Sequence, residues 1–119
     1  MEYLNYILLA LIAFFFVQRL VPKKGVRQIT TAELKKELHD KNKQYIDVRT
    51  PGEFKTKNIR GFKNIPLHQL ANKADQLSKE KEVIVICQSG MRSNKASKLL
   101  KKKGFKQVTN VKGGMSAWV

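Results

Sequence analysis

One cysteine, Cys87, in a chain of 119 residues excludes an intrachain disulfide framework. Only two histidines occur, His39 and His68, too far apart for zinc-ligand spacing, and both read as surface residues. No metal and no other cofactor is expected. A lone thiol suits a reducing compartment. Acidic residues are scarce, nine against 24 Lys and Arg, giving a formal charge of +15. That balance favours anionic partners: phospholipid headgroups, nucleic acid or small oxyanions. Nucleic acid is the least favoured of these, because no aromatic–basic interleaving of the kind that stacks bases is present. Lys outnumbers Arg 19 to 5 and is scattered, as on a solvated surface. No internal repeat occurs, and the length suffices for one domain but not two.

Long apolar runs are limited to one. From Tyr3 to Val17, 14 of 15 residues are apolar or aromatic. Extended to Val21, the run has 19 residues and would cover about 28 Å as a helix, which predicts a transmembrane anchor over residues 3–21 with membrane lipid as its partner. A signal peptide is the weaker alternative, since no Lys or Arg precedes the run and no small-x-small cleavage site follows it. Arg19, Lys23, Lys24 and Arg27 flank the C-terminal side and Glu2 the other. The expectation is a single-pass cell-membrane protein with its N-terminus outside and the rest of the chain cytoplasmic. Residues 22–28, with Pro22-Lys23-Lys24-Gly25, read as a basic linker, and residues 29–119 as the folded domain.

Within that domain short strands alternate with short helices, which argues an α/β fold with a mainly parallel sheet. Thr30-Thr31-Ala32-Glu33 has capping-box spacing and opens a helix carrying Leu34 and Leu38. Gln44–Val48 reads as a strand, Thr50-Pro51-Gly52 as a turn, and Phe62–Ile65 as a brief strand after Gly61. Pro66 starts a helix with Leu67, Leu70, Ala71, Ala74 and Leu77 on its buried side. Lys101, Lys102 and Lys103 followed by Gly104 close another helix, and Phe105–Val111 holds the last strand.

The chain is organised around Cys87-Gln88-Ser89-Gly90-Met91-Arg92-Ser93. Before it, Val83-Ile84-Val85-Ile86 is a continuous β-branched run, the pattern of a strand buried on both faces. After it, Ala96, Leu99 and Leu100 recur at helical spacing. The cysteine thus falls where a central strand ends and a helix begins, the place where open parallel sheets bind ligands. Turn amides and a helix N-terminus there favour an anion, either a thiolate or a bound oxyanion. A plain buried cysteine is the bland alternative.

Taken together, the chain from about Ile29 to Trp118 resembles a single-domain rhodanese, a sulfurtransferase. The resemblance rests on Asp47-Val48-Arg49 with Glu53-Phe54, Ile65-Pro66-Leu67, the cysteine loop, and Gly113-Gly114-Met115-Ser116-Ala117-Trp118, in that order. It implies a five-stranded, mainly parallel sheet flanked by helices. It also implies that Cys87 is the catalytic residue, taking a sulfane sulfur from a small anionic donor such as thiosulfate. The resulting persulfide then passes that sulfur to cyanide, a thiol or a protein acceptor. By the same resemblance Arg92 helps hold the donor, and Gln88, Ser89, Gly90, Met91 and Ser93 complete the binding loop. Asp47, Arg49 and Glu53 brace it. One departure occurs: where members often read Gly-His-Ile-x-Gly-Ala, this chain has Lys57-Asn58-Ile59-Arg60-Gly61-Phe62. Two alternatives stay open. One is a binding module of the same fold with little turnover, against which the intact cysteine argues. The other is a phosphatase or arsenate reductase, disfavoured because four residues rather than five separate Cys87 from Arg92 and Ile86 rather than His precedes the cysteine.

Overall fold

The computed structural model describes residues 2–20, with side chains as far as Val17, and residues 25–119. In chain order it comprises helix α1 (Glu2–Leu20), β1 (Val26–Ile29), α2 (Thr31–Glu37), β2 (Gln44–Asp47), α3 (Pro51–Thr56) and β3 (Lys63–Asn64). Then follow α4 (Leu67–Lys73), a 3-10 turn (Ala74–Gln76), β4 (Val83–Ile86), α5 (Met91–Lys102), β5 (Val108–Val111) and α6 (Gly114–Ala117). All the strands are parallel, in the order β1-β5-β4-β2-β3.

The β-branched run takes the middle of that sheet. All four side chains of β4 are fully buried, and each contributes about 1.5–3 kcal/mol relative to exposure. Because strand side chains alternate, Val83 and Val85 enter one core with Leu70, Ala96, Leu100 and Phe105. Ile84 and Ile86 enter the other, with Ile29, Leu34, Tyr45, Phe62 and Met115. Cys87, one step beyond β4, continues the alternation into the first core. Local signals set several boundaries. Thr30 caps α2 in a full capping box with Glu33, and Thr50 does the same for α3 with Glu53. The buried face of α5 is completed by Ser93 and Ser97 beside Ala96 and Leu100, while Leu99 is half-buried. Ala71, expected to be buried, is exposed, because α4 ends at Lys73 and presents Leu70 rather than Ala71 to the sheet.

The N-terminal segment is helical, and its large apolar side chains from Tyr3 to Val17 are half or more exposed. Among the described residues, however, no helix is long and apolar enough to cross a membrane. Tyr3, Asn5 and Tyr6 on one side and Gln18 and Arg19 on the other confine the continuous apolar stretch to Ile7–Val17. That stretch covers about 16 Å, near half the thickness of a hydrocarbon core. The anchor expected over residues 3–21 and the single-pass cell-membrane location are corrected accordingly, and the warrant for lipid as that segment's partner falls with them. Pro22, Lys23 and Lys24 of the expected linker lie outside the described residues. Val26, Arg27 and Gln28, also read as linker, instead form most of β1 and pair with β5.

Candidate active site

The cysteine loop joins the end of β4 to the start of α5. Gly90 caps α5 with φ of 103°, a left-handed conformation that favours glycine. The turn it makes brings three groups onto one ring. The Gly90 N–H donates to Cys87 Sγ at 2.9 Å, the Cys87 thiol lies 3.3 Å from Ser93 Oγ, and Ser93 Oγ donates to the Gly90 carbonyl at 3.1 Å. Cys87 and Ser93 are both fully buried. The sulfur is therefore held by a backbone amide and a hydroxyl rather than by an imidazole, and the hydroxyl can turn to donate once the sulfur is an anion.

Arg92 faces across the loop mouth to α3. Its two terminal nitrogens donate to the Glu53 carboxylate at 2.6 and 3.0 Å, a bidentate pair. Glu53 also accepts from the Thr50 N–H and hydroxyl. The Arg92 guanidinium, with the Thr50 amide, holds the Glu53 carboxyl down at about 2, and Glu53 raises Arg92 in return. Both side chains remain about one third exposed. In place of a free cation at the mouth, the structure thus has a neutralised pair linking α5 to α3.

Asp47 and Arg49 sit deeper. Arg49 places its Nε and Nη2 on the Asp47 carboxylate at 2.8–3.1 Å, and both residues are at most 2 % exposed. The remaining Arg49 donors reach the carbonyls of Glu53 and Lys57, so the guanidinium ties down the C-terminal end of α3. Asn58 donates to the Phe54 carbonyl at 2.8 Å, and Ile59 and Phe62 are buried, so the segment without the family's histidine is tied down by other contacts.

The cysteine loop has a second support that the sequence did not disclose as such. The first turn of α6 donates Met115 N–H to the Cys87 carbonyl at 2.8 Å and Ser116 N–H to the Gln88 carbonyl at 2.9 Å. Ser116 Oγ adds a 2.8 Å bond to that second carbonyl and accepts from Gln88 Nε2 at 3.3 Å. A Cβ at Gly114 would stand 2.1 Å from the Cys87 carbonyl oxygen, so only glycine permits this approach. The Gly113-Gly114 doublet was the available signal. Ser89 and Met91 take no part in these bonds; they are exposed at the mouth. Among the described residues no cluster of three or more His, Cys, Asp or Glu is placed to hold a metal ion.

A parallel α/β sheet carrying a buried cysteine in a strand-to-helix loop at its centre, closed by amides from two helices, defines the class of protein. Comparison with known proteins places it more closely. Residues 30–119 match the rhodanese-like domain, and the chain belongs to that family. It is 41% identical over 75 residues to the YqhL protein of Bacillus subtilis, the match covering 63% of this chain and 60% of YqhL. It is 31% identical over 94 residues to a sulfurtransferase of Allochromatium vinosum, covering 78% of this chain and 88% of that protein. The crystal structure of a rhodanese-like domain protein from Staphylococcus aureus superposes with a TM-score of 0.73 at 35% identity, covering 78% of this chain and 91% of that one.

Proposed function

We propose that this chain is a sulfurtransferase that carries sulfane sulfur on Cys87, taking it from a small anionic donor such as thiosulfate. The observation that carries this is the sulfur's setting, an amide N–H at 2.9 Å and a hydroxyl at 3.3 Å in a buried loop. Sulfurtransferases among its relatives support the general role. In the first half-reaction the Cys87 thiolate attacks the outer sulfur of thiosulfate. A Cys87 S–S bond forms, the donor's S–S bond breaks, and sulfite leaves with the electron pair. In the second, cyanide or a thiolate attacks the outer sulfur and returns the electron pair to Cys87.

No proton need be taken from either partner by a neighbouring base. The loop's contribution is fixed dipoles where the charge sits, which need not reorient as the reaction proceeds. Cys87 is fully buried, and a persulfide carries the transferable atom about 2 Å outward, toward the mouth. Asp47 and Arg49 hold α3, Glu53 and Arg92 join α3 to α5, and Gln88 joins the loop to α6. Each keeps the ring of donors in register.

The test is mass spectrometry of the purified chain after incubation with thiosulfate, then with cyanide. One added sulfur, lost as thiocyanate appears and absent from Cys87→Ser, is the expected result. A chain that accepts no sulfur from thiosulfate or any other sulfane donor, or a Cys87→Ser variant that turns over normally, would refute the persulfide mechanism. The first result would leave a binding module of the same fold.

A further inference from the structure

Beside the cysteine loop, between α4 and α5, lies a groove of about 310 Å³ lined by Leu67, Ser89, Met91, Arg92 and Lys95. Three features describe what fits it. Met91 is 78% exposed on the first turn of α5, an unbranched thioether held in solvent next to the reactive loop. Such side chains adapt to varied apolar partners. Lys95 follows four residues later on the same helical face, is exposed, and makes no ion pair among the described residues. The carboxylates around the loop, Asp47 and Glu53, are each held by an arginine, so the charge left free at this side of the mouth is positive.

Building on the sulfurtransferase reading, we infer that this groove docks a protein acceptor: an exposed cysteine with one apolar neighbour and acidic flanking residues. The apolar side chain lies between Leu67 and Met91, and a carboxylate meets Lys95. A macromolecule fits better than a free small thiol because Met91 projects outward. A ligand confined within the groove would leave most of that side chain in water, whereas an opposing surface covers it. The chain's +15 charge steers an acidic partner toward it and repels a basic one. The transfer balances: the acceptor thiolate attacks the outer sulfur of the Cys87 persulfide, a new S–S bond forms on the acceptor, and the electron pair returns to Cys87.

The experiment uses the whole chain, loaded with thiosulfate, the added sulfur being verified by mass before any acceptor is present. Synthetic peptides with one Cys and one Leu, flanked by Glu in one and Lys in the other, then discharge it, with dithiothreitol as an uncharged acceptor. At low salt the Glu peptide should react at least about tenfold faster than the Lys peptide, and the gap should close as salt rises. Lys95→Glu should lower the ratio of the Glu-peptide rate to the dithiothreitol rate by about tenfold, and Lys95→Arg should restore it. Equal rates for the two peptides, or an unchanged ratio in Lys95→Glu, overturns the docking proposal. A chain that takes no sulfur from any sulfane donor overturns the persulfide reading and this proposal with it, and the loading step reveals that first.

Discussion

Replacing Gly114 with Ala tests whether α6 holds the cysteine loop in place. The new Cβ would stand 2.1 Å from the Cys87 carbonyl oxygen and 2.9 Å from the carbonyl carbons of Cys87 and Gln88. Ordinary C···O contact lies near 3.3 Å, so α6 must withdraw by about 1 Å. That movement stretches the 2.8 Å Met115 and 2.9 Å Ser116 bonds to the loop carbonyls beyond useful length. Overpacking of this kind costs about 1–3 kcal/mol, and each lost backbone bond about 1 kcal/mol. A further cost of about 1–2 kcal/mol comes from a Cβ at φ of +53°. These overlap rather than add, so the expected loss is about 3 kcal/mol, well above the effect of an ordinary surface substitution. Gly52→Ala is the control, because nothing lies within 4 Å of its Cβ. Urea denaturation of both variants, with sulfur loading from thiosulfate as the functional readout, is the assay. Gly114→Ala should lose stability and load slowly, while Gly52→Ala stays within about 0.5 kcal/mol of the parent. A Gly114→Ala protein as stable as Gly52→Ala and loading at the parent rate would refute the role given to α6.

Arg92→Ala should lower kcat for thiosulfate more than it raises KM, because both terminal nitrogens serve Glu53; a KM effect alone would mean direct donor contact. Glu53 has its carboxyl depressed from 4.5 to about 2, so the stabilisation it provides is present above about pH 4.5 and is lost as pH falls through about 2. Acid titration of Glu53→Gln should therefore show a shallower loss of stability across that window, and a parallel curve would contradict the pairing. Arg49→Ala strands the buried Asp47 carboxylate and should cost about 3–5 kcal/mol in chemical denaturation, far more than Arg92→Ala at the partly exposed pair. Cys87→Ala should stop sulfur loading while changing stability by less than about 1 kcal/mol, as circular dichroism melts would record.

Short-range patterns in the chain were enough to locate its centre. Val83–Ile86 is β-branched throughout, so it belongs in the middle of a sheet, and the residue that follows it must stand at the sheet's C-terminal edge. Thr30 with Glu33 places a helix start by contacts three residues apart, which any folded context preserves. Gly90 and Gly104 mark backbone positions of positive φ that other residues resist. Hydropathy alone misjudged residues 3–21, because counting apolar types ignores how Tyr3, Asn5 and Tyr6 interrupt the run. What the tertiary structure decided is which loops meet. The strand order β1-β5-β4-β2-β3 brings α3, α5 and α6 together around Cys87, though Glu53 lies 39 residues from Arg92 and Gln88 lies 28 from Ser116. Neither local propensity nor periodicity encodes such pairings. They exist because parallel strands require long crossovers, which return the chain to the same edge of the sheet after each helix, and a carboxylate or carbonyl left there unpaired would be costly.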